Sequence, residues 1–271
     1  MGLKIGFTAN INDEEKLSDE IVEQTEFTPR KSVVEVYFPS RDRSYPYFND
    51  SFDLKKGDIV FVDGKLERIR GIVVNVTYNF KIKLSDYKRV IAVADTNVKG
   101  ELFFAGSHLI SFDRQIIPYG KVVRWFKAPE NPDDEVVYGD DGEEYELDDF
   151  QSMNISGEIL SRGHKYYMDN KVVYISLDGK NGKAIVTGSG IYEVEFTYEN
   201  GMISNLTCDC YCSYHCKHEV AVMFQLRDIL HTIFENYENK YKEINYFAAI
   251  CSSDLFAVAV DMNKSGSVTL K

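Results

Sequence analysis

The sequence predicts an α+β fold, with a small β-barrel-like domain at the N-terminal side and a ββα unit around a cysteine cluster at the C-terminal side. Three observations predict it. Between residues 32 and 112, short β-branched runs are broken by Gly, Asp and Pro, with no helical period among them. Residues 129–150 carry 11 acids and no base, a composition that suits a boundary. Four of the five cysteines then fall within nine residues, between an expected hairpin and an expected amphipathic helix.

The chain has 271 residues, 44% hydrophobic and 27% charged, which excludes a mostly disordered, collagen-like or coiled-coil protein. No apolar run reaches the roughly 18 residues that a membrane span requires. Met1 to Asn10 lacks the apolar core of a signal peptide. The expected location is the cytoplasm, where clustered cysteines point to metal and not to disulfides.

The formal charge of −12 hides a sharp division. Residues 1–28 carry a net −5, residues 29–128 a net +7, residues 129–150 a net −11 and residues 151–271 a net −3. The whole-chain balance is therefore a poor guide to partners.

Residues 1–28 read as a strand and helix extension: an apolar stretch from Leu3 to Phe7, then Leu17, Ile21 and Val22 at helical spacing over 12–26. Residues 29–128 form the basic β-rich domain. Ser32 to Phe38, Ile59 to Val62, Gly71 to Tyr78, Val90 to Ala94, Leu102 to Phe104 and Leu109 to Phe112 are its expected strands. Gly57-Asp58-Ile59-Val60-Phe61-Val62-Asp63-Gly64 and the return from Gly71 to Val76 resemble the hairpin of KOW-type small barrels. That resemblance implies RNA or ribosomal partners. Lys55, Lys56, Lys65, Arg68, Arg70, Lys81, Lys83, Lys88 and Arg89 cluster near the turns, interleaved with Tyr78, Phe80 and Tyr87. Cations beside aromatic rings can track phosphates and stack bases, so DNA or RNA is an expected partner.

Residues 129–153 read as an acidic linker, with Val136 to Tyr138 and Tyr145 to Leu147 able to form a marginal hairpin around Asp141-Gly142. Residues 154–271 form the last unit. A helix starts near Ile155, with Asn154 or Ser156 as its cap and Ile159, Leu160, Tyr166 and Tyr167 on its apolar face. Strands follow at Val172 to Leu177 and Ala184 to Thr187. Tyr192 to Tyr198 and Met202 to Thr207 form a hairpin, since Asn200-Gly201 between them is a strong turn signal.

The hairpin leads into Cys208-Asp209-Cys210-Tyr211-Cys212-Ser213-Tyr214-His215-Cys216-Lys217-His218. Thiolate and imidazole are the ligands zinc prefers in a tetrahedron. Cys208 and Cys210 stand at a strand end, and Cys216 and His218 where a helix begins. That helix is supported by Val222, Leu226, Ile229, Leu230 and Ile233 at helical spacing. Cys212 and His215 lie in the same loop and are alternative ligands. Four protein ligands leave no open position, so the expected site is structural, with one zinc per chain. Its binding energy is expected to hold residues 190–235 folded.

The pattern Cys-x-Cys-x5-Cys-x-His followed by an apolar helix resembles the SWIM-type zinc fingers. Arg162 to Tyr167 with Lys171-Val172, and Val186 to Gly190 with Tyr192 to Val194, are similar to segments that precede the finger in bacterial members. Residues 30–128 are similar to the N-terminal part of Firmicutes-type SWIM proteins. The resemblance implies zinc at Cys208, Cys210, Cys216 and His218. It also implies partners that are nucleic acid or protein, SWI/SNF-type ATPases among them.

Enzyme signals are weak. His218-Glu219 opens like a metalloprotease helix, but the second His is missing. Gly179 to Ala184 lacks the spacing and the hydroxyl of a phosphate loop. His108, His164 and His231 stand alone, and Cys251 reads as a buried apolar side chain. The expected protein is a non-enzymatic binder with no small-molecule substrate, or else an adaptor that docks through the finger helix. Tyr246 to Val260 reads as a second helix or apolar packing segment, with a short strand from Val268 to Leu270.

Overall fold

The computed structural model describes residues 3–7, 29–129, 137, 139, 142–150, 153, 155–212, 214–259 and 266–271. The helix expected over 12–26 lies outside them, as does most of the first arm of the hairpin expected around Asp141-Gly142. The first strands are β1 (Leu3–Phe7), β2 (Ser32–Phe38), β3 (Arg43–Asn49), β4 (Ile59–Val62), β5 (Gly71–Thr77) and β6 (Val90–Ala94). Next come β7 (Lys99–Ala105), β8 (His108–Ser111), α1 (Tyr119–Phe126) and β9 (Glu144–Glu146). They lead to α2 (Gly157–Met168), β10 (Val172–Asp178), β11 (Asn181–Thr187), β12 (Ile191–Glu199) and β13 (Met202–Cys208). The chain ends with α3 (Lys217–Asn236), α4 (Glu238–Ile244), β14 (Tyr246–Cys251), α5 (Ser252–Ala259) and β15 (Gly266–Leu270).

These elements make an α+β fold with two sheets. The smaller, in the order β3-β2-β5-β4-β6, is antiparallel throughout. Alternation in β2 turns Val34, Val36 and Phe38 inward against Val60, Val62 and Val73. Pro46 sits in β3, an edge strand, where a missing amide hydrogen is tolerated. The barrel-like expectation is corrected to an open sheet. Its outer strands form no ladder, and their edges meet at an isolated bridge between Phe48 and Arg89.

The larger sheet has ten strands in the order β1-β15-β7-β8-β14-β10-β11-β12-β13-β9, and only β15 and β7 run parallel. One face carries α2 and α3, with Val172, Ile175, Leu177, Phe247 and Ala249 pointing into that core. The other face meets α1, α5 and the small sheet, through Tyr174, Ala248, Ile250, Trp125, Leu255 and Ile59. Successive residues of β14 thus enter opposite cores, as do those of β10 beyond the register shift at Val172–Tyr174, as a strand buried on both faces demands.

Two expected boundaries fall inside this arrangement. β7 and β8 belong to the stretch expected as the basic domain, yet β8 pairs with β14 in the main sheet. The end of the expected acidic linker supplies β9, which pairs with β13, and buries Tyr145, Leu147, Phe150 and Met153. The apolar stretch from Tyr246, expected as a second helix or an apolar packing segment, is a fully buried central strand followed by the short helix α5. Ser156 caps α2 by accepting the Ile159 amide, one of the two caps expected. Among the described residues, no helix is long and apolar enough to cross a membrane.

His108 lies in β8 with no exposed surface, and its Nε2–H donates to the Val172 carbonyl at 2.8 Å. Burial holds its pKa down, from 6.5 to about 4. The unfolded chain therefore binds a proton between those values that the folded chain refuses. His108 allows full stability above pH 6.5 and takes stability away as pH falls toward 4, by about 3 kcal/mol at most. A His108→Gln variant should lose less stability than the parent over that window, read as the shift of the urea midpoint with pH.

Candidate metal centre

The hairpin of β12 and β13 turns at Asn200 and Gly201, both at positive φ, and its ladder ends where Val194 faces Cys208. Cys210 follows, with Asp209 between them. Cys216 is the N-cap of α3, and His218 is in that helix's first turn. A strand end and a helix start thus deliver two donors each.

Their Cys208, Cys210 and Cys216 sulfurs and the His218 ring nitrogen all lie within 4.8 Å of one another. His218 Nδ1 is 3.6 Å from both Cys208 Sγ and Cys216 Sγ. Zinc bonds of about 2.3 Å to sulfur and about 2.0 Å to nitrogen give a tetrahedron with S–N edges of about 3.6 Å. Two of the donor separations match such an edge, and the four residues together could hold a four-coordinate metal ion.

Protonation follows the same geometry. Cys216 ionises first, with its pKa lowered to about 4 by the hydrogen bond from Cys208, then by His218 and the Glu219 amide, against the opposing effect of burial. Cys208 is pushed up in turn, first by that bond to Cys216 and then by burial. Burial also raises Cys210 to about 12. Three neighbouring sulfurs cannot all carry charge unless a cation sits among them. Backbone amides of Cys210, Cys212 and Glu219 point at the sulfurs of Cys208, Cys210 and Cys216 respectively, which favours the charged forms.

The residues around the donors fix their positions. Tyr192 stacks on the His218 ring at 4.0 Å, and Tyr166 meets it edge-on at 5.5 Å. His218 Nε2 is buried with no hydrogen-bond partner among the described residues. Aromatic rings thus hold this imidazole in place of the polar partner that often orients a metal-bound histidine. Glu219 accepts the Cys216 amide at 2.9 Å and closes the α3 capping box. Asp209 accepts the Glu193 amide at 2.9 Å and pairs with Lys127 Nζ at 3.0 Å, which ties the Cys-x-Cys turn to the end of α1.

The alternative ligands stand apart. Cys212 is exposed. His215 turns away from the sulfurs, with Nδ1 3.0 Å from Glu219 and Nε2 2.7 Å from the Tyr145 hydroxyl. Sequence reasoning singled out Glu219 only as a failed protease residue, and it did not give Tyr166, Tyr192 or Tyr145 a place beside the donors. Tyr166 and Tyr192 do fall in the two segments that resemble sequence upstream of the finger.

Helix α3 is a core helix. Val220, Met223, Leu226, Ile229, Leu230 and Ile233 are buried against the sheet and α2. The expectation that residues 190–235 have little core of their own is corrected, since α3 buries its apolar residues in the main core.

The nine basic residues lie in three connections of the small sheet, before β4, between β4 and β5, and between β5 and β6. Lys55 and Lys56 are exposed before β4, and Lys81 and Lys83 are exposed between β5 and β6. Lys88 lies against Gly64, the residue before the exposed Lys65, and the Arg89 carbonyl accepts the Asp63 amide. Arg89 pairs with Asp50 and lies 5.1 Å over the Phe48 ring. Arg68 is exposed, whereas Arg70 is half-buried and donates to the Trp125 carbonyl at 3.1 Å. Of the interleaved aromatics, Tyr78 is exposed beneath Arg30, Phe80 packs on Phe48 and Tyr87 is half-buried.

Comparison of the chain with protein-family models, curated proteins and solved structures found no match.

Proposed function

We propose that the chain is a non-enzymatic, SWIM-type zinc protein that binds nucleic acid. The observation that carries the zinc reading is the set of three sulfurs and one imidazole nitrogen within 4.8 Å of one another. A divalent ion there locks the loop between β13 and α3 and leaves no position for a reacting water. The site is therefore structural, and binding falls to other surfaces. Burial of the α3 face keeps that helix out of a groove, so contact with nucleic acid belongs to the basic residues of 29–128, whose net charge is +7.

The full-length, zinc-loaded protein should bind single-stranded DNA or RNA with an affinity that falls steeply between about 50 and about 200 mM salt, by at least about tenfold. Fluorescence anisotropy measures it. An affinity that does not change with salt removes the electrostatic reading.

A second reading, an adaptor for another protein such as a SWI/SNF-type ATPase, is favoured by one observation. Tyr211 and Tyr214, in the metal loop, are almost wholly exposed at 107% and 88%. Exposed tyrosines on a rigid loop suit a protein interface. On this reading, polynucleotide binding is absent at low salt.

A further inference from the structure

A cavity of 780 Å³ lies where the small sheet meets the rest of the fold. Arg41, Arg68 and Arg70 line it from the small sheet's side, and Phe126, Thr187 and Asp254 from the other. Arg41 belongs to the turn between β2 and β3, while Arg68 and Arg70 immediately precede β5. The opposing residues come from the ends of α1 and β11 and the first turn of α5. The site exists only because the two sheets pack together.

Its charge is unbalanced. Arg41 and Arg68 are exposed and have no ion-pair partner among the described residues. Arg70 uses one donor on the Trp125 carbonyl, and a guanidinium has five N–H groups. Asp254 is the single carboxylate among the lining residues, and of the three arginines it interacts with Arg70. Planar guanidinium groups pair with phosphate oxygens through two parallel hydrogen bonds, which separates this site from the dispersed lysines. Phe126 adds a half-buried ring that can stack a base, and Thr187, whose hydroxyl donates to the Lys171 carbonyl at 3.3 Å, keeps an oxygen that can accept beside a sugar.

We propose that this cleft binds the phosphate backbone of a single-stranded nucleic acid, with Arg41, Arg68 and Arg70 on phosphate and Phe126 beside a base. The inference rests on the nucleic-acid reading above and gives it a location. Arg68 and Arg70 belong to it among the nine expected residues, and Arg41 joins them. The recess suits a single strand, whose phosphates and unstacked bases can enter it together.

The test uses the full-length, zinc-loaded protein and labelled oligothymidylate and oligouridylate in anisotropy titrations at low salt. Arg41→Glu/Arg68→Glu should weaken binding at least about tenfold, whereas Lys55→Glu/Lys56→Glu should weaken it less than about threefold. Both arginines are exposed, so circular dichroism should show an unchanged fold. If charge reversal lowers the melting temperature, Arg41→Gln/Arg68→Gln replaces it and should still weaken binding more than the lysine pair. Equal or greater loss in the lysine variant overturns the cleft and leaves the nucleic-acid reading standing. No binding by the parent protein overturns both. Thymidine or uridine monophosphate that competes as strongly as the oligonucleotide of the same base overturns the strand assignment, since a lone nucleotide then fills the site.

Discussion

A Cys216→Ser variant should purify with almost no zinc and still keep helix α3. Serine at this position can accept the Glu219 amide as the cysteine sulfur does, and it is a preferred helix cap. The substitution therefore removes a metal donor while preserving the cap. Three remaining donors bind zinc far less tightly than four, and zinc content should fall from about one per chain to below about a tenth. The helix itself is held by Val220, Met223, Leu226, Ile229, Leu230 and Ile233, none of which belongs to the donor set. Far-UV circular dichroism should change little, and hydrogen exchange should rise sharply in residues 209–216 while the centre of α3 stays protected. Fast exchange across the whole of α3 would show instead that the metal carries the helix. Cys212→Ser, by contrast, should retain zinc, because that side chain is exposed and outside the donor set. Loss of zinc from Cys212→Ser but not from Cys216→Ser would reverse the ligand assignment.

The contrast between donors and surroundings explains what the sequence reveals of this site. Cys208, Cys210, Cys216 and His218 are close in the chain, and two-residue spacings at a strand end and a helix start bring them together through local geometry alone. Tyr166 and Tyr192 reach His218 only because α2 packs on α3 and β12 pairs with β13, and no spacing rule encodes that packing. The fold divides in the same way. β2, β5, β12, β13 and α3 carry their own period, and Asn200-Gly201 marks the β12–β13 hairpin. β14 does not: Tyr246 to Cys251 is apolar at every position because both faces are buried, so it has no alternation to read. β3 is hidden by Pro46, which only an edge position tolerates. The charge change at residue 129 is a feature of composition, while the sheet crosses it, since β8 from one side pairs with β14 from the other.

Gly163 sets two arguments against each other. It lies within α2, where glycine costs about 1 kcal/mol relative to alanine, so helix propensity alone expects Gly163→Ala to stabilise the protein. Packing predicts the reverse. Gly163 is buried where α2 crosses the start of α3, and a methyl group there would overlap the Val220 side chain and meet the Lys217 carbonyl at 3.1 Å. Val220 could change rotamer, but the carbonyl belongs to the first turn of α3 and moves only with that helix. The alanine variant should lose about 1–3 kcal/mol of stability, and Gly163→Val more, because a branched side chain must push the helices apart. Separation has a second consequence. Tyr166, on α2, packs against His218, two residues before Val220, so the valine variant should bind zinc more weakly although every donor is intact. Urea unfolding and a chelator competition read the two effects separately. Val220→Ala makes room for the new methyl, so combining it with Gly163→Ala should destabilise less than the two single changes together. Strict additivity would mean that the residues do not touch, and the close approach of α2 to the metal helix would no longer account for the glycine.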